Sequence, residues 1–214
     1  MVGDPGRAMA LAQVLIEGPK MSNHARGLWG YSGLTAEGHG LNVQATGMGG
    51  PSAALVLSDL AELGVRRAVR VGTCAAIGSG SSAGDPGREE LRPGDLIEVR
   101  KARPWSVDHP GAGTPALPDP ALADRLRAEL GDAARSGRVA SLDVLHPSPG
   151  HLAPDGDVAD MQTAALFKAG RNLGVALAAV LIVTDAEGIE PLSDETLANR
   201  AAFAAEASLR ALFG

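Results

Sequence analysis

Aromatic residues and cysteine are scarce in this chain of 214 residues. Phe, Trp and Tyr make up 3% of it although hydrophobic residues reach 45%, so the core has to be built from Ala, Val, Leu and Ile. The single cysteine, Cys74, excludes an intramolecular disulfide and a cysteine-based metal cluster. The histidines show no metal-ligand spacing such as His-x-x-x-His, and we expect no metal site.

Long apolar runs and a basic charge balance are also missing. No apolar run approaches the roughly 20 residues that a membrane-spanning helix needs. The start of the chain lacks a basic region followed by an apolar stretch, so we expect a cytoplasmic protein that does not bind membranes. The net charge of −6 argues against a nucleic-acid partner, because such a partner requires a basic face.

Strand and helix patterns alternate along the chain. This alternation predicts a single α/β domain over residues 1–214, with a central mixed, largely parallel sheet flanked by helices. Helices are predicted over residues 8–16, 52–63, 120–134, 161–173 and 194–212, with Ser193 as the N-cap of the last one. Strands are predicted over residues 41–46, 67–73, 96–99, 139–145 and 175–183.

Two further expectations concern connectivity. The strand–helix–strand unit over residues 41–73 is expected to form a parallel pair joined by a crossover helix. Residues 78–90 and 103–118 are rich in Gly, Ser or Pro and are predicted to be irregular loops.

Residues 68–76, AVRVGTCAA, have the pattern of a buried strand that carries an arginine, a glycine and a hydroxyl. An arginine inside an apolar run is costly unless a carboxylate or a phosphate pairs with it. Gly72 is expected to let a ligand approach the backbone, and Thr73 adds a hydroxyl donor. On this segment alone, an oxyanion site and a structural ion pair explain Arg70 equally well.

The start of the chain adds a second candidate anion-binding segment. Residues 3–8, GDPGRA, form a turn pattern before a predicted helix, and backbone N–H groups at such a helix start can bind an anion. Arg7 contributes a planar fork of donors that matches phosphate. Because ligands bind at the carboxyl ends of strands in open α/β sheets, we expect Arg7 and Arg70 to converge on one site.

These segments resemble the nucleoside phosphorylase I family, which includes hexameric purine nucleoside phosphorylases, uridine phosphorylases and adenosine-type nucleosidases. The matching stretches occur in the family's order at residues 3–7, 26–33, 47–52, 70–74, 160–162 and 184–185. The resemblance implies phosphorolytic cleavage of the N-glycosidic bond of a purine or purine-like nucleoside, giving free base and sugar 1-phosphate. It implies no cofactor besides inorganic phosphate, which is the co-substrate.

The resemblance also assigns the phosphate ligands. Gly3, Arg7, Arg70 and Thr73 match residues that hold the phosphate. Arg26 matches an arginine that the family donates across a dimer interface, which implies a homo-oligomer of dimeric units, a hexamer. The alternative for Arg26 is a solvated loop arginine.

Asp185 matches the aspartate with which purine-cleaving members protonate the leaving base. Because it follows an apolar strand, we expect desolvation to help it hold the proton. The alternative is an aspartate that caps the following turn. The resemblance assigns the remaining site residues to the sugar (Met48, Met161, Gln162 and Asp160) and to the base (Cys74, Leu145, His146 and Thr184). For Met161, an ordinary core methionine is the alternative.

Gln162 departs from the family pattern, which has a glutamate that accepts hydrogen bonds from the ribose hydroxyls. A neutral amide keeps an acceptor oxygen but loses the charge, and charge-assisted hydrogen bonds are roughly twice as strong as neutral ones. A modified or 2′-deoxy sugar, a slow enzyme and a degenerate relative all explain the change. A phosphate-independent nucleosidase and a non-catalytic nucleoside- or nucleotide-binding protein therefore stay open as alternative functions, although the three arginines count against the nucleosidase.

Overall fold

The computed structural model describes residues 1–77, 90–106, 108–109, 113–144 and 155–214. In chain order its helices and strands are α1 (Pro5–Leu15), β1 (Glu17–Asn23), β2 (Gly30–Leu34), β3 (Gly40–Gln44), α2 (Gly50–Glu62), β4 (Arg67–Ala76), β5 (Leu96–Trp105), α3 (Pro120–Leu130), β6 (Ala134–Leu142), β7 (Val158–Asp160), α4 (Thr163–Leu173), β8 (Ala176–Asp185) and α5 (Asp194–Phe213).

Five strands close into a barrel in the order β4-β7-β6-β5-β8. The pairs β4–β8, β5–β6 and β6–β7 are parallel, whereas β4–β7 and β5–β8 are antiparallel. A second, antiparallel sheet has the order β1-β2-β3. The protein is a single α/β domain with a mixed sheet flanked by helices, which confirms the predicted fold class.

Small aliphatic side chains build the core. Helix α5 buries five alanines against the barrel (Ala201, Ala204, Ala205, Ala207 and Ala211). Helices α1, α3 and α5 pack in one apolar cluster, and α2 and α4 contribute to a second cluster. In the described part of the chain, only Tyr31, Trp105 and Phe167 are buried aromatic side chains.

The strand register brings three distant segments to one end of the barrel. Thr73 lies opposite Ile182, and Ala75 lies opposite Asp185, so β4 and β8 end side by side. Ala75 also pairs with Ala159 of β7, the residue before Asp160. Residues 70–74, 160–162 and 184–185 therefore lie close together, although up to about half of the chain separates them.

The prediction that the strands flanking α2 form a parallel pair is wrong. Strand β3 belongs to the antiparallel sheet and β4 to the barrel. Residues 1–2 lie between them: Val2 bridges Ala45 in parallel, and the Val71 amide donates to the Met1 carbonyl at 2.9 Å. Two residues are too few to give a strand pattern, so their position between β3 and β4 was not predictable from periodicity.

Several other boundaries differ from the predictions. Strand β5 continues to Trp105, so residues 103–105 are not part of an irregular loop. Three strands were not predicted: the polar and mostly exposed β1, its partner β2, and the three-residue β7. The predicted loop over residues 78–90 lies outside the described residues except for Glu90. Within the described ranges, none of the helices is long and apolar enough to span a membrane.

Candidate active site

Arg70 is the centre of a buried polar network at the barrel end. The arginine is 4% exposed. Its Nη2 donates to Asp160 Oδ2 at 3.0 Å, its Nη1 donates to Gln162 Oε1 at 2.5 Å, and its Nε donates to Thr163 Oγ1 at 3.2 Å. The structure is therefore compatible with both explanations of Arg70, the structural ion pair and the oxyanion site. The ion pair is present, and guanidinium hydrogens remain free for a ligand.

Asp160 is held by protein groups on both carboxylate oxygens. Oδ1 accepts from the Ser141 hydroxyl at 2.6 Å. Oδ2 accepts from the Thr163 hydroxyl at 2.6 Å and from the Thr163 amide at 3.0 Å. The carboxylate lies at the start of α4, where the positive end of the helix dipole stabilises it. These bonds fix the position of the negative charge that pairs with Arg70.

Gly72 provides the space that the Arg70 guanidinium occupies. A Cβ at Gly72 would lie 2.7 Å from both Arg70 Cζ and Arg70 Nη2, and 2.7 Å from Leu181 Cδ2. Real Cβ atoms do not approach heavy atoms this closely, so a side chain here would displace the arginine. The glycine thus admits the chain's own arginine, whereas the sequence suggested close approach of a ligand.

Gln162 links Arg70 to the turn that follows β3. Its Oε1 accepts from Arg70 and lies 3.1 Å from the Thr46 hydroxyl, whose single hydrogen is shared with the Val2 carbonyl at 3.0 Å. Its Nε2 donates to the Gly47 carbonyl at 2.6 Å and to the Gly49 carbonyl at 3.4 Å. The side chain is buried, and every amide position has a protein partner.

The first turn of α1 lies near this network. Asp4 caps the helix by accepting from the Arg7 amide at 2.7 Å, and a Cβ at Gly3 would lie 3.5 Å from the Gly47 carbonyl. Burial lowers the pKa of Arg7, the Asp4 charge raises it, and the Arg70 charge lowers it. Two guanidinium groups that interact unfavourably beside a helix N-terminus form a site that an anion would complement.

The ends of β4 and β8 present a mixture of buried and exposed groups. Thr73 is partly buried, and the Thr184 hydroxyl donates to the Cys74 carbonyl at 3.2 Å. Burial raises the pKa of the Cys74 thiol well above its ordinary value, so the group stays neutral. Asp185 is exposed, so the desolvation that we expected from the preceding apolar strand is not present in the structure.

The remaining predicted site residues differ in their surroundings. Met48 is 84% exposed at the tip of the turn that Gln162 contacts, and Met161 is partly buried beside it. Arg26 is exposed in the loop between β1 and β2 and has a positive φ of 56°. Leu145 and His146 lie outside the described residues.

Sequence reasoning missed three hydroxyl groups of the network. Thr46, Ser141 and Thr163 are all buried, and each bonds to Gln162, Asp160 or Arg70. Thr163 is the first residue of α4, one position after the N-cap residue Gln162, so the preference for hydroxyls at N-caps did not single it out. Thr46 and Ser141 reach their partners only through the fold, so the sequence carries no local signal for them.

A cavity of about 570 Å³ lies elsewhere, at the start of β4. Its lining is mostly apolar and comes from α1, α5, β3 and residues 63–69. Arg70, Asp160 and Gln162 do not line it. The cavity is therefore separate from the polar network around Arg70.

Comparison with known proteins identifies the family and relatives of this chain. The model of the phosphorylase superfamily matches residues 1–212. A protein of Oceanobacillus iheyensis named purine nucleoside phosphorylase DeoD-type is 45% identical over 76 residues, which cover 35% of this chain and 32% of that relative. Proteins of the same name are 29% identical over 213 residues in Streptococcus suis, covering 92% of this chain and 84% of the relative, and 30% identical over 198 residues in Alkaliphilus metalliredigens, covering 86% and 79%.

Proposed function

The chain belongs to the phosphorylase superfamily, and on this premise we propose that it cleaves purine nucleosides by phosphorolysis. The products are the free base and a sugar 1-phosphate. The observation that carries the proposal is the position of Arg70, a buried arginine whose fork is fixed by Asp160 beside the start of α1. The names of the relatives and the presence of Asp185 favour a purine as the base.

In this proposal, phosphate is bound by Arg70, Arg7, Gly3 and Thr73. A guanidinium carries five N–H groups. The bonds to Thr163, Gln162 and Asp160 use the Nε hydrogen and one hydrogen on each terminal nitrogen. One hydrogen on each terminal nitrogen remains, and two such donors suit bidentate contact with a phosphate. The N-terminus of α1 adds its positive dipole end.

The reaction then follows from groups on either side of the sugar. A phosphate oxygen forms a bond to C1′ of the sugar while the bond from C1′ to the base nitrogen breaks. The bonding electrons leave with the base, which accepts a proton from Asp185 and departs neutral. Met48 and Met161 flank the sugar, which gains oxocarbenium character as in glycoside hydrolysis. Because Asp185 is exposed, bound substrate has to exclude water from it.

Assembly forms part of the same proposal. Arg26 is exposed on a loop whose left-handed backbone is costly for a residue other than glycine. We propose that this loop reaches the phosphate site of a neighbouring copy, in a homo-oligomer of dimeric units such as a hexamer. The proposal involves no cofactor besides phosphate, no nucleic acid and no membrane, and it retains a cytoplasmic location.

The test is base release from inosine and adenosine with and without inorganic phosphate, followed by chromatography. We expect release only with phosphate. Arg7→Met should raise the KM for phosphate about tenfold, because a charge-assisted contact is lost. Arg171→Met removes the same charge from the last turn of α4, roughly 12 Å along the helix from its start, and serves as the matched control.

The other outcomes identify the alternatives. Equal base release without phosphate would contradict the proposal and favour a nucleosidase. Binding of a nucleoside without any release would favour a non-catalytic binding protein.

A further inference from the structure

Thr163 connects Arg70 to Asp160 through a single hydroxyl group. Its Oγ1 accepts from Arg70 Nε at 3.2 Å and donates to Asp160 Oδ2 at 2.6 Å. The direction of both bonds is determined, because a guanidinium can only donate and a carboxylate can only accept. The one hydrogen of the hydroxyl is therefore directed to Asp160, and a lone pair of its oxygen receives the Nε hydrogen. Thr163 is fully buried, so water does not compete for either bond.

Only one of the two Asp160 oxygens bonds Arg70 directly. An arginine and a carboxylate frequently form two parallel hydrogen bonds, one to each oxygen. Here Oδ1 is bound by the Ser141 hydroxyl at 2.6 Å, and the direct bond runs from Arg70 Nη2 to Oδ2 at 3.0 Å. The Thr163 hydroxyl supplies the second connection, because it links Oδ2 to Nε. The ion pair thus has two connections, of which one is direct and one passes through a hydroxyl.

The Thr163 hydroxyl is itself held in a fixed position. The Thr163 amide donates to Asp160 Oδ2 at 3.0 Å, so the backbone and the side chain of this residue bind the same oxygen. Thr163 is the first residue of α4, and Asp160 is the last residue of β7. Its branched side chain also has restricted rotation at χ1. The hydroxyl is therefore in place before any ligand binds, as a group that orients another side chain has to be.

The bond to Nε determines where the free hydrogens of Arg70 point. The Nε hydrogen lies in the same plane as the hydrogens of the two terminal nitrogens. Arg70 is 4% exposed, so without Thr163 its Nε would be a buried donor that lacks a partner, which is costly. The guanidinium would turn to satisfy this donor. Turning would redirect the two terminal hydrogens that the proposed function assigns to phosphate.

We propose that Thr163 is a positioning residue for phosphate binding, whose hydroxyl orients the Arg70 guanidinium without touching the substrate. This inference rests on the proposed function and deepens it. It adds to the phosphate site a residue that no sequence motif singled out.

The experiment compares two substitutions at this position in steady-state kinetics with varied phosphate. Thr163→Val keeps the branched shape and removes the hydroxyl, and Thr163→Ser keeps the hydroxyl. We expect the KM for phosphate to rise about tenfold in Thr163→Val, because a bond to a charged group is lost, and to stay within about twofold of wild type in Thr163→Ser. The KM for inosine should be unchanged in both variants, since the loss is confined to phosphate binding.

Thr35→Val is the matched control for removal of a buried hydroxyl. Thr35 is 2% exposed, and its Oγ1 accepts from the His39 amide at 3.3 Å in the turn between β2 and β3, at the other end of β3 from Thr46. We expect this variant to lose stability in urea and to keep the wild-type KM for phosphate. If Thr163→Val behaves in the same way as Thr35→Val, Thr163 is merely structural and the inference is overturned.

Thr163→Ala keeps the inference testable if the valine variant does not fold. Alanine also removes the hydroxyl and is well tolerated in a helix. The KM for phosphate should again be about tenfold higher than in Thr163→Ser. Equal phosphate KM values in the alanine and serine variants would contradict the role of the hydroxyl.

Calorimetric titration with inorganic phosphate alone separates this inference from the proposed function. If no base is released, but the Kd for phosphate rises about tenfold in Thr163→Val and recovers in Thr163→Ser, the proposed reaction fails and the inference holds. If base release requires phosphate, but the Kd is the same in all variants, the inference fails and the proposed function stands. If the wild-type protein does not bind phosphate, both fail.

Discussion

At the scale of single residues, Arg70 and Asp160 form a buried ion pair whose two charges are both satisfied. Each side chain is at most 5% exposed. Removing either partner would leave an uncompensated charge in the interior, which typically costs about 3–5 kcal/mol. The pair therefore gives the arginine one fixed position, and a fixed donor fork is the property that phosphate binding requires. Under the proposed phosphate role of Arg70, function and stability are coupled at this residue.

Gly72→Ala tests how closely the Arg70 guanidinium fits the space beside Gly72. The added Cβ would lie 2.7 Å from Arg70 Cζ, so the guanidinium has to move. We expect loss of phosphate-dependent activity by at least about tenfold, because the lost contacts are charge-assisted. Gly40→Ala is the control, since a Cβ at Gly40 meets nothing within 4 Å. Steady-state kinetics with varied phosphate gives the result, and wild-type phosphate KM in Gly72→Ala would contradict the assigned role of the glycine.

Glu98 gives a residue-scale prediction for pH dependence. It is buried on β5, and its Oε2 binds Ser136 and Arg100, whereas Oε1 has no hydrogen-bond partner in the described part of the chain. Burial raises the pKa of Glu98 above its ordinary value of 4.5, although Ser136 and Arg100 lower it. The folded state therefore binds more protons than the unfolded state between 4.5 and the raised pKa, so this group's contribution to stability falls as the pH rises through that window.

Glu98→Gln should remove this dependence. Urea unfolding from pH 4 to pH 8 should show the wild-type protein losing stability relative to the variant as the pH rises. The exposed Glu62 on α2 provides the control variant, Glu62→Gln. A difference between wild type and Glu98→Gln that is constant with pH, or that changes in the opposite direction, would refute the argument.

At the scale of elements, the start of α1 connects helix capping to the candidate anion site. Asp4 satisfies the Arg7 amide, and its negative charge lies close enough to raise the pKa of the Arg7 side chain. The same residue thus stabilises the helix and weakens the positive field that would attract phosphate. These two effects can be separated, because an asparagine caps a helix as well as an aspartate does.

Asp4→Ala should cost about 1 kcal/mol of unfolding free energy because the cap is lost, whereas Asp4→Asn should cost only a few tenths. Asp4→Asn should also lower the KM for phosphate by about two- to fivefold, since one negative charge near the helix start is removed. Urea unfolding and phosphate titration measure the two effects. If Asp4→Asn weakens phosphate binding, the anion does not bind at this helix start.

Much of this element structure follows from the sequence. Pro51 and Gly64 mark the limits of α2, and Ser193 caps α5 as predicted, because these signals are local. Strand β1 is polar and exposed, so it carries no alternation of apolar residues. The candidate site likewise has a part that the sequence predicts and a part that it does not. The motif around Arg70 is readable, while the bond between Thr46 and Gln162 joins residues 116 positions apart and exists only in the fold.

At the scale of the whole molecule, our proposal is that the site is complete only in an assembly. Asp185 would act within its own chain, and Arg26 would act in the neighbouring copy. Two inactive variants should therefore restore each other's activity, because one of the two sites in a mixed dimer receives both normal residues.

Arg26→Ala and Asp185→Asn are the two variants, and both positions are exposed, so folding should be unaffected. After subunit exchange of an equal mixture, about a quarter of the sites should be normal. Phosphate-dependent base release measures the recovery. The unmixed variants are the controls, and absence of recovery in a mixture that has exchanged subunits would show that Arg26 does not act across an interface.

The most direct test of the central claim follows the phosphate itself. Phosphorus NMR of the protein with inosine and inorganic phosphate should show a sugar 1-phosphate signal that grows as hypoxanthine is released, with one phosphate consumed for each base. Release of base with an unchanged phosphate signal would contradict phosphorolysis at Arg70.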